Sequence, residues 1–197
     1  MSRIKIAPND SGTGIFTIES PNSNTNRTIT LPDNAGNFLT TGSAGAIIQV
    51  IQTTTTTEVT VNTSTYTDTT LTASITPSSS TNKILVMVMQ GYVNTRQSAA
   101  VGQGIRLLRD STVVWTPNES PTGPFMWYAN AGGASSNELD ATAVLNYLDS
   151  PSTTSSVTYK TQGRPHTSSN SGVVHYQYSA GGYVTQESTM ILMEVVA

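Results

Sequence analysis

The sequence predicts an all-β protein: an antiparallel β-sandwich or jelly-roll-like head behind a short β-rich N-terminal anchor or stem. Three observations carry that prediction. Strand-favouring Thr, Val, Ile and Tyr are plentiful, whereas stretches rich in Lys, Glu and Ala are scarce. Apolar residues recur at period two in segments bounded by Gly, Pro, Asn and Ser clusters. The third is the run Asn82-Lys83-Ile84-Leu85-Val86-Met87-Val88-Met89-Gln90, apolar at both alternating positions. Ile84, Val86 and Val88 would line one face, and Leu85, Met87 and Met89 the other. Met190-Ile191-Leu192-Met193-Glu194-Val195-Val196 repeats the pattern at the chain's end. A strand apolar on both faces needs cover on both. With few credible helices to supply it, the second cover is expected to be another subunit. Leu85, Met87, Met89, Met190, Leu192 and Met193 are the candidate subunit interface.

The elements follow in order. Ile15-Phe16-Thr17-Ile18 and Arg27-Thr28-Ile29-Thr30-Leu31 read as short strands around the turn-forming cluster Pro21 to Asn26. One hairpin buries too little surface to stand alone. Residues 1–45 are therefore expected to pack on copies of themselves or on another protein, with Thr40 to Gly45 as a linker. Residues 46–197 form the main domain, opened by a strand over Ala46 to Gln52. The tract Thr53 to Thr57 either extends that strand along an exposed edge or forms a loop. Thr69 to Ile75 alternates cleanly, with Leu71, Ala73 and Ile75 facing inward, and Pro77 ends it. Gly104 to Arg109 and Thr112 to Trp115 flank Asp110-Ser111 as a two-residue hairpin. Residues 116–137, with Pro117, Pro121, Pro124 and Phe125-Met126-Trp127-Tyr128, read as a long functional loop. Leu139, Ala141, Ala143, Leu145 and Tyr147 fall on one face of an extended segment, with a short helix over 137–145 as the rival. Ser156 to Gln162 and Val173 to Tyr178 are further strands, separated by a polar loop at 167–172.

Composition limits the function classes. The chain has 197 residues, of which 11% are charged, and a net charge of −3. No basic patch offers a phosphate footprint, so nucleic-acid binding is not expected. The absence of cysteine excludes disulfides, thiol catalysis and Cys-type zinc sites. The first residues lack a signal-peptide core, and no stretch approaches the roughly 18 apolar residues of a spanning helix. A soluble protein made in a cytoplasm, not secreted by the usual route and not inserted in a membrane, is expected.

Three stretches of the main domain carry a resemblance. They are Leu71-Thr72-Ala73-Ser74-Ile75-Thr76-Pro77 with Ser80 to Val86, Tyr147-Leu148-Asp149-Ser150-Pro151 with Val157 to Lys160, and Ser188 to Val195. The domain they frame resembles the head of tail-fibre-like structural proteins of phages, particularly marine phages. Arg27-Thr28-Ile29-Thr30-Leu31-Pro32-Asp33, followed by Gly36 and Thr40-Thr41-Gly42, looks like a segment of phage fibre stems. The resemblance implies a virion location with release by lysis, a structural role and trimerisation, with no catalytic residues, cofactor or metal. The N-terminal segment would join other virion proteins.

Candidate sites stand beside plainer alternatives. His166 and His175 lack a third ligand at metal-binding spacing. Glu138, Asp140 and Asp149 could hydrolyse glycans if two converged; the alternative is solvated or hairpin-stabilising acids, with Asp149 capping the Ser150-Pro151 turn. No nucleophile elbow, phosphate-binding glycine loop or calcium loop is present. Trp115, Phe125, Trp127 and Tyr128 are the candidate receptor or partner surface, since aromatic rings stack on sugars and anchor interfaces. Alternatively they plug one end of the sandwich. Arg96, Arg106, Arg109 and Arg164 form a second candidate set. The expectation is a non-enzymatic short fibre or spike component whose oligomeric head contacts a host surface glycan or protein. The alternatives are a capsid or baseplate accessory, a carbohydrate-binding module and a glycan depolymerase.

Overall fold

Period-two alternation becomes two antiparallel sheets that share one apolar core. The computed structural model describes residues 11–15, 17, 19, 22–26, 28, 43–97, 100–120, 123–124, 126–130, 137–165, 173–177 and 186–197. The chain divides into units of residues 1–37 and 38–197. In the first, Thr25 N–H donates to Ser23 Oγ at 3.1 Å within the expected turn cluster. Phe16, Ile18, Arg27 and Ile29 to Leu31, which carry the two expected N-terminal strands, lie outside the described residues.

The second unit holds thirteen strands among the described residues. They are β1 (Ile47–Thr55), β2 (Val59–Val61), β3 (Thr67–Ile75), β4 (Lys83–Gln97), β5 (Ala100–Arg109), β6 (Thr112–Trp115), β7 (Glu119–Ser120), β8 (Gly123–Pro124), β9 (Trp127–Asn130), β10 (Asn137–Asp149), β11 (Val157–Pro165), β12 (Val173–Tyr176) and β13 (Ser188–Val195). The larger sheet runs β1-β13-β4-β12-β2 with β10 also on β4, and the smaller runs β3-β11-β5-β6 with β9 also on β5. β4 is long enough to serve two neighbours along one edge. β13 pairs with its Lys83–Met89 half and β12 with Asn94–Arg96, while β10 runs along the opposite edge.

Several expectations resolve here. The threonine tract continues β1 through Thr55, on an edge of the larger sheet. Residues 137–149 are strand, so the helical alternative fails; Ala143 and Leu145 face the core while Val144 and Leu148 point out. The supposed long loop at 116–137 instead contains β7, β8 and β9, and β9 extends the smaller sheet beside β5. The hairpin at Asp110-Ser111 is present, with Asp110 at φ 53°, a left-handed conformation that Asp tolerates.

The core draws Ile84, Val86, Val88, Met190 and Leu192 from the larger sheet and Leu71, Ile75, Ile105, Leu107 and Tyr159 from the smaller. A polar seam crosses it. Thr161 Oγ1 donates to Gln90 Oε1 at 2.9 Å, and Gln90 Nε2 donates to Ser188 Oγ at 3.1 Å. These bonds satisfy buried polar groups while fixing the two sheets in register. Nearby, the Tyr176 ring lies so close to Gly163 that a Cβ there would approach its hydroxyl to 1.9 Å. Gly163 is required by that cross-sheet packing.

Candidate interaction face

β4 and β13 have core residues on one face and apolar residues on the other. The second set forms an ordered surface. Cross-strand pairing aligns Leu148, Leu85, Met193 and Val50 in one row across β10, β4, β13 and β1. The next row is Asn146, Met87, Ile191 and Gln52, and the one beyond it is Val144, Met89, Thr189 and Thr54. On the other side lie Lys83, Val195 and Ile47. Lys83 is the single charged residue in these rows. Val144, Val50, Ile47, Leu148, Met89 and Met87 are 57%, 56%, 54%, 49%, 47% and 37% exposed. Sandwich strands ordinarily turn polar residues outward. A contiguous apolar sheet face is the signature of a surface that another molecule covers.

The expected interface set therefore separates by face. Leu85, Met87, Met89 and Met193 lie on this outer surface. Met190 and Leu192 do not: both are fully buried in the core of the single chain. They offer nothing to a second subunit. Along β13 the core-facing residues are Ser188, Met190, Leu192 and Glu194, so the outward set is Thr189, Ile191, Met193 and Val195. Glu194 shares the inward face although it is charged. Here Ser78 N–H, Ser78 Oγ and Asn82 Nδ2 each donate to Glu194 Oε1 at 2.7 Å. Burial acts to raise the Glu194 pKa, but these hydrogen bonds prevail and hold it below the usual glutamate value.

The aromatic candidates are not gathered into one described surface. Trp115 is half-buried and packs against the core. Phe125 lies outside the described residues, and Trp127 and Tyr128 are described in backbone only, paired with Gln103 and Gly102. Tyr178, Tyr183 and His166 also lie outside the described residues, and Arg96, Glu138 and Asp140 are described in backbone only. His175 Nδ1 sits 2.9 Å from Glu58 Oε1 and 3.1 Å from Thr60 Oγ1. Among the described residues no three metal-ligating side chains cluster, and no helix is long and apolar enough to cross a membrane.

Asp149 does not cap the Ser150-Pro151 turn. It is buried, and its Oδ2 accepts from Arg109 Nη1 and from the Tyr159 hydroxyl, each at 2.6 Å. The carboxylate thus joins β10 of one sheet to β5 and β11 of the other. Arg106 and Arg164 sit elsewhere, on the outer face of the smaller sheet, with the Tyr66 ring beside both. The sequence matches no protein-family model and no curated protein.

Proposed function

We propose that the chain is a non-enzymatic structural component of a phage virion, of short fibre or spike type. Its sandwich associates with copies of itself through the outer face of the larger sheet. The observation that carries the assembly is the unbroken apolar row Leu148-Leu85-Met193-Val50, flanked by Met87, Met89 and Val144. Covering such side chains contributes about 25 cal/mol per Å² of apolar area, set against the cost of immobilising the partners. The virion role is supported by the resemblance of residues 71–86, 147–160 and 188–195 to phage fibre heads and by the weakly charged, Thr- and Ser-rich composition. A trimer is the expected state, because fibre heads of this kind are threefold and repeated weak contacts gain avidity. The N-terminal segment would hold the head to the particle.

Light scattering over a range of concentrations tests the assembly. The expected result is a species of about three chain masses for the parent protein, shifted to one chain mass by Met87→Asp or Met193→Asp. Parent and variants of equal mass would refute this interface. A monomeric parent that binds purified particles would favour an accessory protein whose apolar face meets another virion protein.

A further inference from the structure

The larger sheet ends in two strands that, among the described residues, are each paired on one side only. β10 pairs with β4 and β1 with β13, so the main run of strands is β10-β4-β13-β1. Every pairing in it is antiparallel, so β1 and β10 run in opposite directions. None of the nine residues of β1 is buried. Edge strands ordinarily carry a Lys, a Pro or another charge that blocks further pairing. Ile47 to Thr55 and Ala141 to Leu148 contain no charged residue and no proline.

The two edges match in chemistry. Past the bulges at Ile47/Gln49 and Ala141/Ala143, the regular stretches are Gln49 to Thr55 and Ala143 to Asp149, equal in length. The rows of the outer face end in Val50, Gln52 and Thr54 on β1 and begin with Leu148, Asn146 and Val144 on β10. If each row runs straight on into a second copy, Val50 meets Leu148, Gln52 meets Asn146 and Thr54 meets Val144. Apolar then faces apolar, amide faces amide, and one β-branched side chain faces another. On the inner face Ile51 meets Tyr147. Both are half-buried at the margin of the core, and this contact would complete their cover. Four strands per copy, an even number, also keep strand direction and the alternation of backbone hydrogen bonds in phase across the seam.

We infer that β1 of one copy pairs antiparallel with β10 of the next, Gln52 opposite Asn146, closing three copies into a ring with the apolar rows turned inward. This pairing rests on the self-association proposed above and names its seam. Geometry fixes the number of copies. Four strands at about 4.8 Å make a side about 19 Å wide. Three such sides enclose a prism whose axis lies about 5.5 Å from each sheet, half the spacing of roughly 10 Å at which sheets pack. Leu85, Met87, Met89 and Met193, on the two central strands, would fill that space. With four copies the distance grows to about 9.5 Å, and the centre becomes a hollow lined by apolar side chains. The seam joins unlike edges, so the contact is heterologous, and closing the ring leaves no free edge in the main run. A bulge on each of the two strands provides the bend that a corner between sheets needs.

The chain has no cysteine, so introduced ones report cleanly. Gln52 and Asn146 of one chain lie about 14 Å apart, across three strand spacings, too far for an internal disulfide. Facing each other across an antiparallel seam, they would be about 4.5–5.5 Å apart. Oxidation of the full chain carrying both Gln52→Cys and Asn146→Cys is expected to give a covalent species of three chain masses on denaturing gels, reversed by reductant. Either single variant should stay at one chain mass. Thr54→Cys with Val144→Cys crosslinks the same seam and provides the test independently if the first pair melts early. A parent that sediments as three chains while neither double variant crosslinks would overturn the seam and leave the self-association standing. A monomeric parent without crosslinks would overturn both. Covalent dimers from Asn146→Cys alone would mean twofold pairing of β10, and a ladder beyond three chains would mean an open array; either result overturns the inference.

Discussion

Asp149 holds a cross-sheet contact through one oxygen, and its loss is expected to be costly. Asp149→Asn would leave the Arg109 guanidinium without its counter-charge in a part-buried setting, a change of about 3 kcal/mol. For a chain of this size the melting temperature should fall by about 6–12 °C. Tyr159→Phe removes one of the two donors at 2.6 Å and should cost about 1–2 kcal/mol. Thermal denaturation of both variants checks the ranking. Gly163→Ala should destabilise by at least about 1–3 kcal/mol through overpacking, because Tyr176 occupies the space a methyl would need. Titration adds two limits. Glu194 has a lowered folded pKa, so its contribution is present above the unfolded glutamate value of 4.5 and is lost as pH falls through the folded value. Tyr159 and Tyr176 have raised folded pKa values, both chiefly from burial; for Tyr159 the Asp149 hydrogen bond and charge add to it. Their contribution is present below the unfolded value of 10.0 and is lost as pH rises above it. Denaturant midpoints should therefore fall below pH 4.5 and again above pH 10, with the acid limb reduced in Glu194→Gln. The alternation of residues 71–75 was readable from sequence. The partners of Asp149 were not, since they come from strands 40 and 10 residues distant.

At the level of the strand, doubly apolar runs state that both faces want cover but not which face meets the core. β4 was divided correctly: Ile84, Val86 and Val88 are buried, and Leu85, Met87 and Met89 form the outer set. β13 was not divided at all: Met190, Leu192 and Met193 stand together as interface candidates in the sequence, and the structure buries the first two in the core and turns the third outward. Two substitutions in this strand separate the faces. Met190→Asp places an unpaired charge in the core and should prevent stable folding. Met193→Asp should leave the monomer folded, with near-parent circular dichroism, while abolishing self-association. If Met190→Asp gave a folded chain and Met193→Asp did not, the face assignment would be inverted. The threonine tract is the opposite case. Its composition permits strand or loop, and pairing with β13 makes Thr53, Thr54 and Thr55 strand. Thr55 Oγ1 then lies 3.3 Å from Thr70 Oγ1 of β3 in the other sheet.

The described domain has two unlike outer faces, one apolar with Lys83 as the single charge in its rows, the other polar, with Asp68, Gln162 and Arg106 in one row. In the self-association proposed above, the apolar sheet is the face turned toward a neighbouring copy. An assembly held by apolar burial should persist at high salt, since screening acts on charges and not on apolar contact. Sedimentation at low and high salt checks this. Sequence by itself determined the all-β class, the alternating strands, the Asp110-Ser111 turn and the surplus of apolar faces, because these depend on neighbours one or two positions away. Only the tertiary structure decided that Met190 and Leu192 belong to the core, that Asp149 bridges the sheets, and that Arg106 and Arg164 meet at Tyr66. Each depends on register between strands distant in the chain, and register is set by how two sheets pack their inner faces together.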